Sequence, residues 1–329
     1  MMSRVKIISV LVFFFVAWVV SPHVGAQNDN LLPNKIAPGA IRSEVGKALA
    51  DDERSASSER RDSGATSTIT SVTFQSLDPV KPLTVPAVLR IPNHARRPMP
   101  AVVIVHGSGG VDSRGVSYAR ELNNAGIATL EIDMWAARGI TGAENRPKTV
   151  PETLPDAYGA FVYLAANHAI DSKRIGIMGF SWGGVVSMLT ATKPYTNRYL
   201  GSEMKFAAHA PNYPVCWVYN VVPGYEFKSF TGAPVFIQAG ELDTYDLPDT
   251  CLKLVRSLAS VAPDLLSLKI YPGATHAFDR SEPAITITDS FSYLGKGGDV
   301  LFAPNPEAAE EARAATTSFF KSKFGLSPE

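Results

Sequence analysis

From about residue 68 onward the chain alternates short apolar runs with amphipathic stretches, and this alternation limits the fold more than any other feature. The run 101–105 is apolar throughout, which is typical of a strand buried on both faces of a sheet. Because helix-like stretches separate most strands, we predict an α/β fold: a mostly parallel sheet with helices on both faces. The predicted strands are 69–75, 85–91, 101–105, 127–132, 174–180, 206–209, 234–239 and 266–271, and the predicted helices are 116–124, 154–167, 182–192, 247–260 and 306–324.

The first 26 residues have the layout of a signal peptide. Arg4 and Lys6 precede the uncharged stretch 7–20, and small side chains lead up to Ala26. A helix over this stretch spans about 21 Å, which is less than the roughly 30 Å of a bilayer core. We therefore expect cleavage after Ala26, export to the periplasm or the medium, and no stable membrane anchor afterwards. An uncleaved anchor is the alternative.

The segment 27–67 is polar and contains few apolar residues. It buries too little surface to offset its ordering entropy, so we predict an arm or linker over 27–67 and one large domain over 68–329. The whole chain has 31 basic and 31 acidic side chains, and its formal net charge is zero. This balance argues against a nucleic-acid partner, because such proteins usually carry a basic excess.

The motif Gly179-Phe180-Ser181-Trp182-Gly183 lies between a predicted strand and a predicted helix. This G-x-S-x-G pattern in a strand–turn–helix context is typical of a nucleophile elbow, where the serine sits on a strained turn. The helix N-terminus also favours negative charge that develops beside the serine. Ser181 is therefore the predicted nucleophile. The alternative is a serine that only caps the helix.

A serine hydroxyl needs a general base, and His276 is the candidate. It follows a predicted strand and is the last histidine of the chain, where the order Ser, Asp, His places the base. Asp243 follows another strand and is predicted to orient the imidazole. Three nearby acids are alternatives to Asp243, with a solvated loop or a helix cap as their ordinary role: Glu241, Asp246 and Asp249.

The glycine-rich sequence His106-Gly107-Ser108-Gly109-Gly110 follows the buried strand 101–105. It is similar to loops that supply oxyanion-hole donors, in which small residues let backbone N–H groups approach the substrate. We assign the N–H of Ser108, or of its neighbour Gly109, together with the N–H of Trp182. A phosphate-binding loop is disfavoured because no lysine follows as in a P-loop.

Together these blocks resemble an α/β-hydrolase of the dienelactone hydrolase family, in its exported branch, over roughly residues 68–325. Further blocks that carry the resemblance are Asp133 with Arg138-Gly139-Ile140, Ile170-Asp171 with Arg174-Ile175-Gly176, and Tyr271-Pro272-Gly273 with Ala277-Phe278. The resemblance implies an α/β-hydrolase fold and a Ser181–His276–Asp243 triad that cleaves an ester-like bond. Dienelactone hydrolase itself uses a cysteine nucleophile, so its substrate does not carry over to a chain with Ser181.

The predicted function is therefore a serine esterase that cleaves a small-molecule carboxylic ester or lactone through an acyl-enzyme. No metal-ligand cluster or cofactor motif occurs in the sequence, so neither a metal nor a cofactor is predicted. A peptidase of the prolyl-peptidase-like type shares the same constellation, although no gating domain is visible. The other alternative is a non-catalytic binding protein on a hydrolase fold, which the complete set of catalytic residue types disfavours.

Cys216 and Cys251 fall in loops at the same edge of the predicted sheet. In an exported protein an even pair of cysteines favours a disulfide, which would stabilise the fold by about 3.8 kcal/mol in the chain-entropy model. Two free buried thiols are the alternative.

Candidates for the pocket wall are His106, Trp135, Arg138, His209 and Trp217. Arg138 equally suits a salt bridge, and His209 and the aromatic residues equally suit packing.

Overall fold

A computed structural model of the protein describes residues 67–326. The predicted signal peptide and all but the last residue of the predicted arm lie outside these described residues. Within 67–326, none of the helices combines the length and the apolar character that a membrane crossing requires.

The centre of the fold is an eight-stranded sheet. Its strands are β1 (Ser67–Gln75), β2 (Thr84–Pro92), β3 (Met99–Val105), β4 (Ala128–Ile132), β5 (Ile170–Phe180), β6 (His209–Asn212), β7 (Val235–Gly240) and β8 (Leu266–Tyr271). Their order in the sheet is β1-β2-β4-β3-β5-β6-β7-β8. Strand β2 pairs antiparallel with both β1 and β4, and all neighbouring pairs from β4 to β8 are parallel. Loops that follow the parallel strands therefore meet at one edge.

Helices cover both faces of this sheet, as the sequence predicted, and the predicted fold class is confirmed. In β3, Val103 belongs to one hydrophobic cluster, and its neighbours Val102 and Ile104 belong to another on the opposite face. This division follows from the alternation of side chains along a strand. The helices are α1 (Ser113–Asn124), α2 (Leu154–Ala165), α3 (Trp182–Leu189), α4 (Lys193–Leu200), α5 (Thr250–Leu258) and α6 (Pro306–Lys323).

A second, two-stranded sheet follows β8 and is absent from the sequence-based prediction. Its antiparallel strands are β9 (Ile285–Asp289) and β10 (Gly298–Phe302). The connecting turn Ser292–Gly295 contains two residues with left-handed backbone, Tyr293 and Leu294. Single-turn 3-10 segments lie at Ala136–Arg138, Ala143–Asn145, Val150–Thr153 and Cys216–Val218.

The predicted strand 206–209 was wrong in its bounds, because β6 extends over His209–Asn212. Its four residues are buried although two of them are polar and one is proline. The strand is enclosed between β5 and β7, so tertiary packing decides its position rather than an apolar pattern. Helix α4 was not predicted either, and α5 is shorter than the predicted 247–260.

Candidate active site

Ser181 occupies the turn between the end of β5 and the start of α3. Its backbone angles are φ 51° and ψ −108°, a region that costs an L-residue about 1–3 kcal/mol. A Cβ atom on Gly183 would lie 2.1 Å from the carbonyl oxygen of Val105, and one on Gly179 would lie 2.3 Å from the Gly183 backbone. Close backbone packing therefore requires glycine on both sides of the serine. The Ser181 N–H donates to the Asn212 carbonyl at 3.0 Å.

The loops after β7 and β8 bring Asp243 and His276 together. The distance from His276 Nδ1 to Asp243 Oδ2 is 2.7 Å, and both side chains are buried. The other carboxylate oxygen of Asp243 accepts the Tyr245 N–H at 2.9 Å. This bond from the backbone orients the carboxylate, which in turn selects the tautomer of His276 that carries its proton on Nδ1.

The three alternative acids have other partners. Glu241 accepts the Gly273 N–H, Asp246 accepts the N–H groups of Cys216 and Trp217, and Asp249 forms an ion pair with Lys253. None of the three pairs with a histidine among the described residues. The structure thus places Asp243, and not one of its neighbours, beside His276.

The second ring nitrogen of His276, Nε2, is buried and has no hydrogen-bond partner within residues 67–326. Three aromatic rings surround the imidazole: the ring of Tyr245 at 4.4 Å, that of Tyr213 at 4.8 Å and that of Phe302 at 5.0 Å, measured between ring centroids. No hydrogen bond joins Ser181 to His276 in the described part of the chain, so the contact between nucleophile and base stays a prediction. In enzymes without substrate such contacts are often long and shorten on binding.

The glycine-rich loop lies next to the nucleophile because β3 and β5 are parallel neighbours, with Val105 opposite Gly179. Trp135 donates its indole N–H to the Ser108 carbonyl at 2.8 Å, and Gly110 donates its N–H to the Gly107 carbonyl at 3.0 Å. Over the described residues, no backbone or side-chain acceptor takes the N–H of Ser108 or of Trp182. The loop is therefore held by other groups, while the two N–H groups assigned to the oxyanion stay free to donate.

Ser181, Ser108 and Trp182 line one cleft that encloses about 480 Å³ of empty space, its open mouth included. Most of the wall is apolar, and two cationic side chains and one carboxylate complete it. The other lining residues are Arg146, Lys148, Val150, Val185, Val215, Val218, Tyr225, Tyr245, Asp289 and Phe291.

The five side chains predicted to form the pocket wall lie elsewhere, and this part of the prediction is corrected. Arg138 forms an ion pair with the buried carboxylate of Asp156, and burial raises the pKa of Asp156 to about 6. Nδ1 of His209 bonds the Ser187 carbonyl, and burial lowers the pKa of His209 to about 3. Both side chains therefore serve packing and ion pairing, which were the ordinary roles considered for them.

The other three predicted wall residues support the loops of the site from behind. Nε2 of His106 accepts the Met134 N–H at 3.0 Å, while Nδ1–H donates to the Gly107 carbonyl at 2.7 Å. Burial lowers the pKa of His106. Trp135 packs edge-on against both His106 and Trp182. Trp217 donates its indole N–H to the carbonyl of Phe291, a residue that does line the cleft.

The polar part of the cleft wall was not predicted from the sequence. Arg146 and Lys148 come from the loop between β4 and α2, which shows no strand or helix pattern. Asp289 comes from the β9–β10 hairpin, and the alternating residues 285–289 were the one available signal for it. Burial opposes ionisation of Asp289, but bonds from the Phe291 N–H and from Arg146 outweigh it, so the net effect lowers the pKa of Asp289.

The predicted disulfide between Cys216 and Cys251 is confirmed, and it joins the loop after β6 to the start of α5. Val215 and Val218, which flank Cys216, line the cleft. Asp246 accepts the N–H groups of Cys216 and Trp217 at 2.7 and 2.9 Å, and burial together with the charge of Asp243 raises the pKa of Asp246 to about 7. Within residues 67–326, the sulfurs of Cys216 and Cys251 and the carboxylate of Asp246 are the one group of potential ligand atoms close enough together to hold a metal ion. The disulfide removes both thiolates from it.

A buried network of charged and phenolic groups lies behind His276. Arg114 pairs with Asp112 and donates to the Tyr213 hydroxyl at 3.0 Å. The Tyr213 hydroxyl donates to Asp279, which also accepts the Tyr118 hydroxyl at 2.8 Å. The network links helix α1, beside the glycine-rich loop, to the chain segment that follows His276.

Comparison with known proteins shows the family of the chain. The model of the dienelactone hydrolase family matches residues 85–324, which is well over half of the chain. The chain belongs to the dienelactone hydrolase family. Family membership makes it a hydrolase of the carboxylic ester class, as the sequence predicted.

Individual relatives are distant. A Bradyrhizobium protein named as a 2-oxo-3-(5-oxofuran-2-ylidene)propanoate lactonase is 26% identical over 190 residues, which cover 55% of this chain and 73% of the relative. A solved structure from Klebsiella pneumoniae, named as a dienelactone hydrolase, has a TM-score of 0.53 at 19% identity and covers 77% of this chain and 98% of its own. A Thermogutta terrifontis esterase with bound propionate has a TM-score of 0.55 at 15% identity, over 81% and 97% of the two chains. The two solved structures show the α/β-hydrolase fold.

Proposed function

We propose that this dienelactone hydrolase family member is a serine esterase that cleaves a small-molecule ester or lactone through an acyl-enzyme. The observation that carries the proposal is the state of His276. Its Nδ1 is bonded to Asp243 at 2.7 Å, and its Nε2 is buried without a partner. An imidazole oriented by a carboxylate on one nitrogen and free on the other suits a general base.

In the proposed first half-reaction, the Ser181 Oγ attacks the carbonyl carbon of the ester and its proton passes to Nε2 of His276. The negative charge that develops on the carbonyl oxygen is stabilised by the N–H groups of Ser108 and Trp182. The tetrahedral intermediate then expels the alcohol, which takes the proton from His276. The product of this half-reaction is an ester between Ser181 and the acyl group.

In the second half-reaction a water molecule attacks the acyl-enzyme, and His276 accepts its proton. Collapse of the second tetrahedral intermediate releases the carboxylic acid and returns the proton to Ser181. With a lactone, the alcohol and the acid are parts of one product. Lactone cleavage is the activity that the Bradyrhizobium relative's name states, and the valine-rich wall beside Ser181 supports a substrate with an apolar part.

We also propose that the protein is exported by the segment 1–26 and works in the periplasm or the medium. The Cys216–Cys251 disulfide supports this location, because disulfides persist in oxidising compartments. N-terminal sequencing of the protein purified from the producing cell tests the proposal. A mature chain that begins at Gln27 is the expected result, and an intact Met1 contradicts it.

Labelling with a fluorophosphonate and a comparison of substrates test the proposed activity. We expect the probe to modify Ser181, and Ser181→Ala to abolish both labelling and turnover of p-nitrophenyl esters while the melting temperature stays unchanged. Faster cleavage of peptide anilides than of esters would indicate a peptidase instead. Absence of both labelling and turnover in the wild-type protein would indicate a binding protein.

A further inference from the structure

The β9–β10 hairpin forms part of the cleft wall, and Asp289, the last residue of β9, is the centre of its polar contacts. Asp289 is only 8% exposed. Its Oδ2 accepts from the Arg146 guanidinium at 2.9 Å and from the Tyr245 hydroxyl at 3.0 Å, and its Oδ1 accepts the Phe291 N–H at 2.8 Å. Asp289 and these three partners all line the cleft that contains Ser181. One carboxylate thus joins three separate segments of the chain at the cleft.

Two of these partners contact residues that the proposed reaction uses. The ring of Tyr245 packs 4.4 Å from the ring of His276. The guanidinium of Arg146 lies 5.6 Å from the centre of the Trp182 ring. Asp289 therefore holds one side chain beside the general base and another beside the oxyanion hole.

The three contacts are buried or partly buried, and each is charge-assisted because its acceptor is a carboxylate. A carboxylate that accepts from a guanidinium, a phenol and a backbone N–H satisfies all three donors at once. Without it, the buried Tyr245 hydroxyl loses its acceptor, and a long cationic side chain such as Arg146 extends into solvent. Both changes alter the shape of the cleft, while the bond between Asp243 and His276 is left in place.

We propose that Asp289 is a positioning residue that sets the shape of the substrate cleft by holding Arg146 and Tyr245 in its wall. The inference rests on the proposed esterase function. It implies that Asp289 determines which esters fit beside Ser181, and that its loss raises KM and levels the preference among acyl groups. The chemical step depends on the triad, so kcat for a small ester changes little.

The test compares Asp289→Ala and Asp289→Asn with the wild-type enzyme on p-nitrophenyl acetate, butyrate and octanoate. Asp299→Asn is the matched control, because Asp299 lies on the same hairpin but is exposed, and within residues 67–326 its carboxylate accepts only from the Thr288 hydroxyl. For Asp289→Ala we expect the KM of the best ester to rise about ten-fold. The ratio of kcat/KM between the best and the worst ester becomes smaller. The kcat for acetate stays within about three-fold of the wild type. Asp289→Asn retains an acceptor oxygen, so we expect its KM to lie between those of Asp289→Ala and the wild type. Asp299→Asn is expected to behave as the wild type.

Three results would overturn the inference: an unchanged acyl profile in Asp289→Ala, a fall in kcat at constant KM, or the same change in Asp299→Asn. If Asp289→Ala does not fold, Arg146→Gln provides the test, and it must raise KM in the same way. A wild-type protein that neither turns over esters nor labels with a fluorophosphonate refutes the proposed function and the inference together. A wild-type protein that does both, with Asp289 and Arg146 variants that keep its acyl profile, refutes the inference alone.

Discussion

The ring of Tyr213 lies edge-on against the ring of His276, with centroids 4.8 Å apart, and its hydroxyl is held between Arg114 and Asp279. Tyr213 also has a positive φ of 39°, which is uncommon for a bulky residue. The base of the proposed triad thus packs against a strained residue that a buried ionic network holds in place.

We expect Tyr213→Phe to lower the free energy of unfolding by about 1–3 kcal/mol, because it leaves a guanidinium and a carboxylate without their shared partner. Urea denaturation measures this loss. Tyr163→Phe is the control, since the partly buried Tyr163 packs on Phe74 by its ring and none of its described contacts uses the hydroxyl. Equal stability of the two variants would show that the network contributes nothing.

Asp243→Asn tests the proposed orienter of His276. An amide can hold the imidazole in the wrong tautomer, so we expect kcat for ester hydrolysis to fall by about 10³–10⁴-fold with little change in melting temperature. Asp249→Asn removes an exposed ion pair with Lys253 in the same loop region and is expected to keep full activity. Comparable losses in both variants would argue against a specific role for Asp243.

Removal of the disulfide by Cys216→Ser together with Cys251→Ser is expected to destabilise the fold by up to about 3.8 kcal/mol in the chain-entropy model. Because Val215 and Val218 line the cleft, KM for esters is expected to rise as well. Chemical denaturation and steady-state kinetics measure the two effects. A reductant must destabilise the wild type and leave the double variant unchanged, and sensitivity of the double variant would contradict this account.

The buried carboxyl group of Asp246 is expected to make the free energy of unfolding depend on pH. Burial and the charge of Asp243 raise its pKa to about 7, so between about pH 4 and pH 7 the folded state binds the proton more tightly than the unfolded state. The contribution of Asp246 to stability is therefore complete below about pH 4 and is lost as the pH rises from there to about 7, by at most about 1.4 kcal/mol per pH unit.

Asp246→Asn removes this dependence. We expect the slope of unfolding free energy against pH from 5 to 8 to become more positive in the variant than in the wild type. An amide still accepts the N–H of Cys216 or Trp217, so the loop keeps part of its support. Parallel curves for wild type and variant over this range would show that Asp246 does not titrate there.

Most of the proposed machinery was predictable because it depends on short-range sequence. Glycine is required on both sides of Ser181 because other backbone segments pack closely against the turn. A predicted strand before the G-x-S-x-G motif is enough to identify the turn as a nucleophile elbow. The loops that carry Asp243 and His276 follow strands, and parallel strands bring such loops to one edge whatever the detailed packing. Asp243 was the predicted acid, but three neighbouring acids stayed open as alternatives, because the direction of the side chain depends on the Tyr245 N–H bond and on the fold of the whole loop.

The sequence alone thus determined the fold class, the family and the candidate nucleophile, base and acid, since each follows from local pattern and chain order. Only the tertiary structure decided what lines the cleft. Arg146, Tyr245 and Asp289 are up to 143 residues apart, and they meet because a hairpin without a strong sequence signal folds back over the site. His106 and Arg138 follow strands as well, and His209 begins one, yet their partners lie in the interior. Position after a strand brings a residue to the active edge, but packing decides whether its side chain faces the substrate or the core.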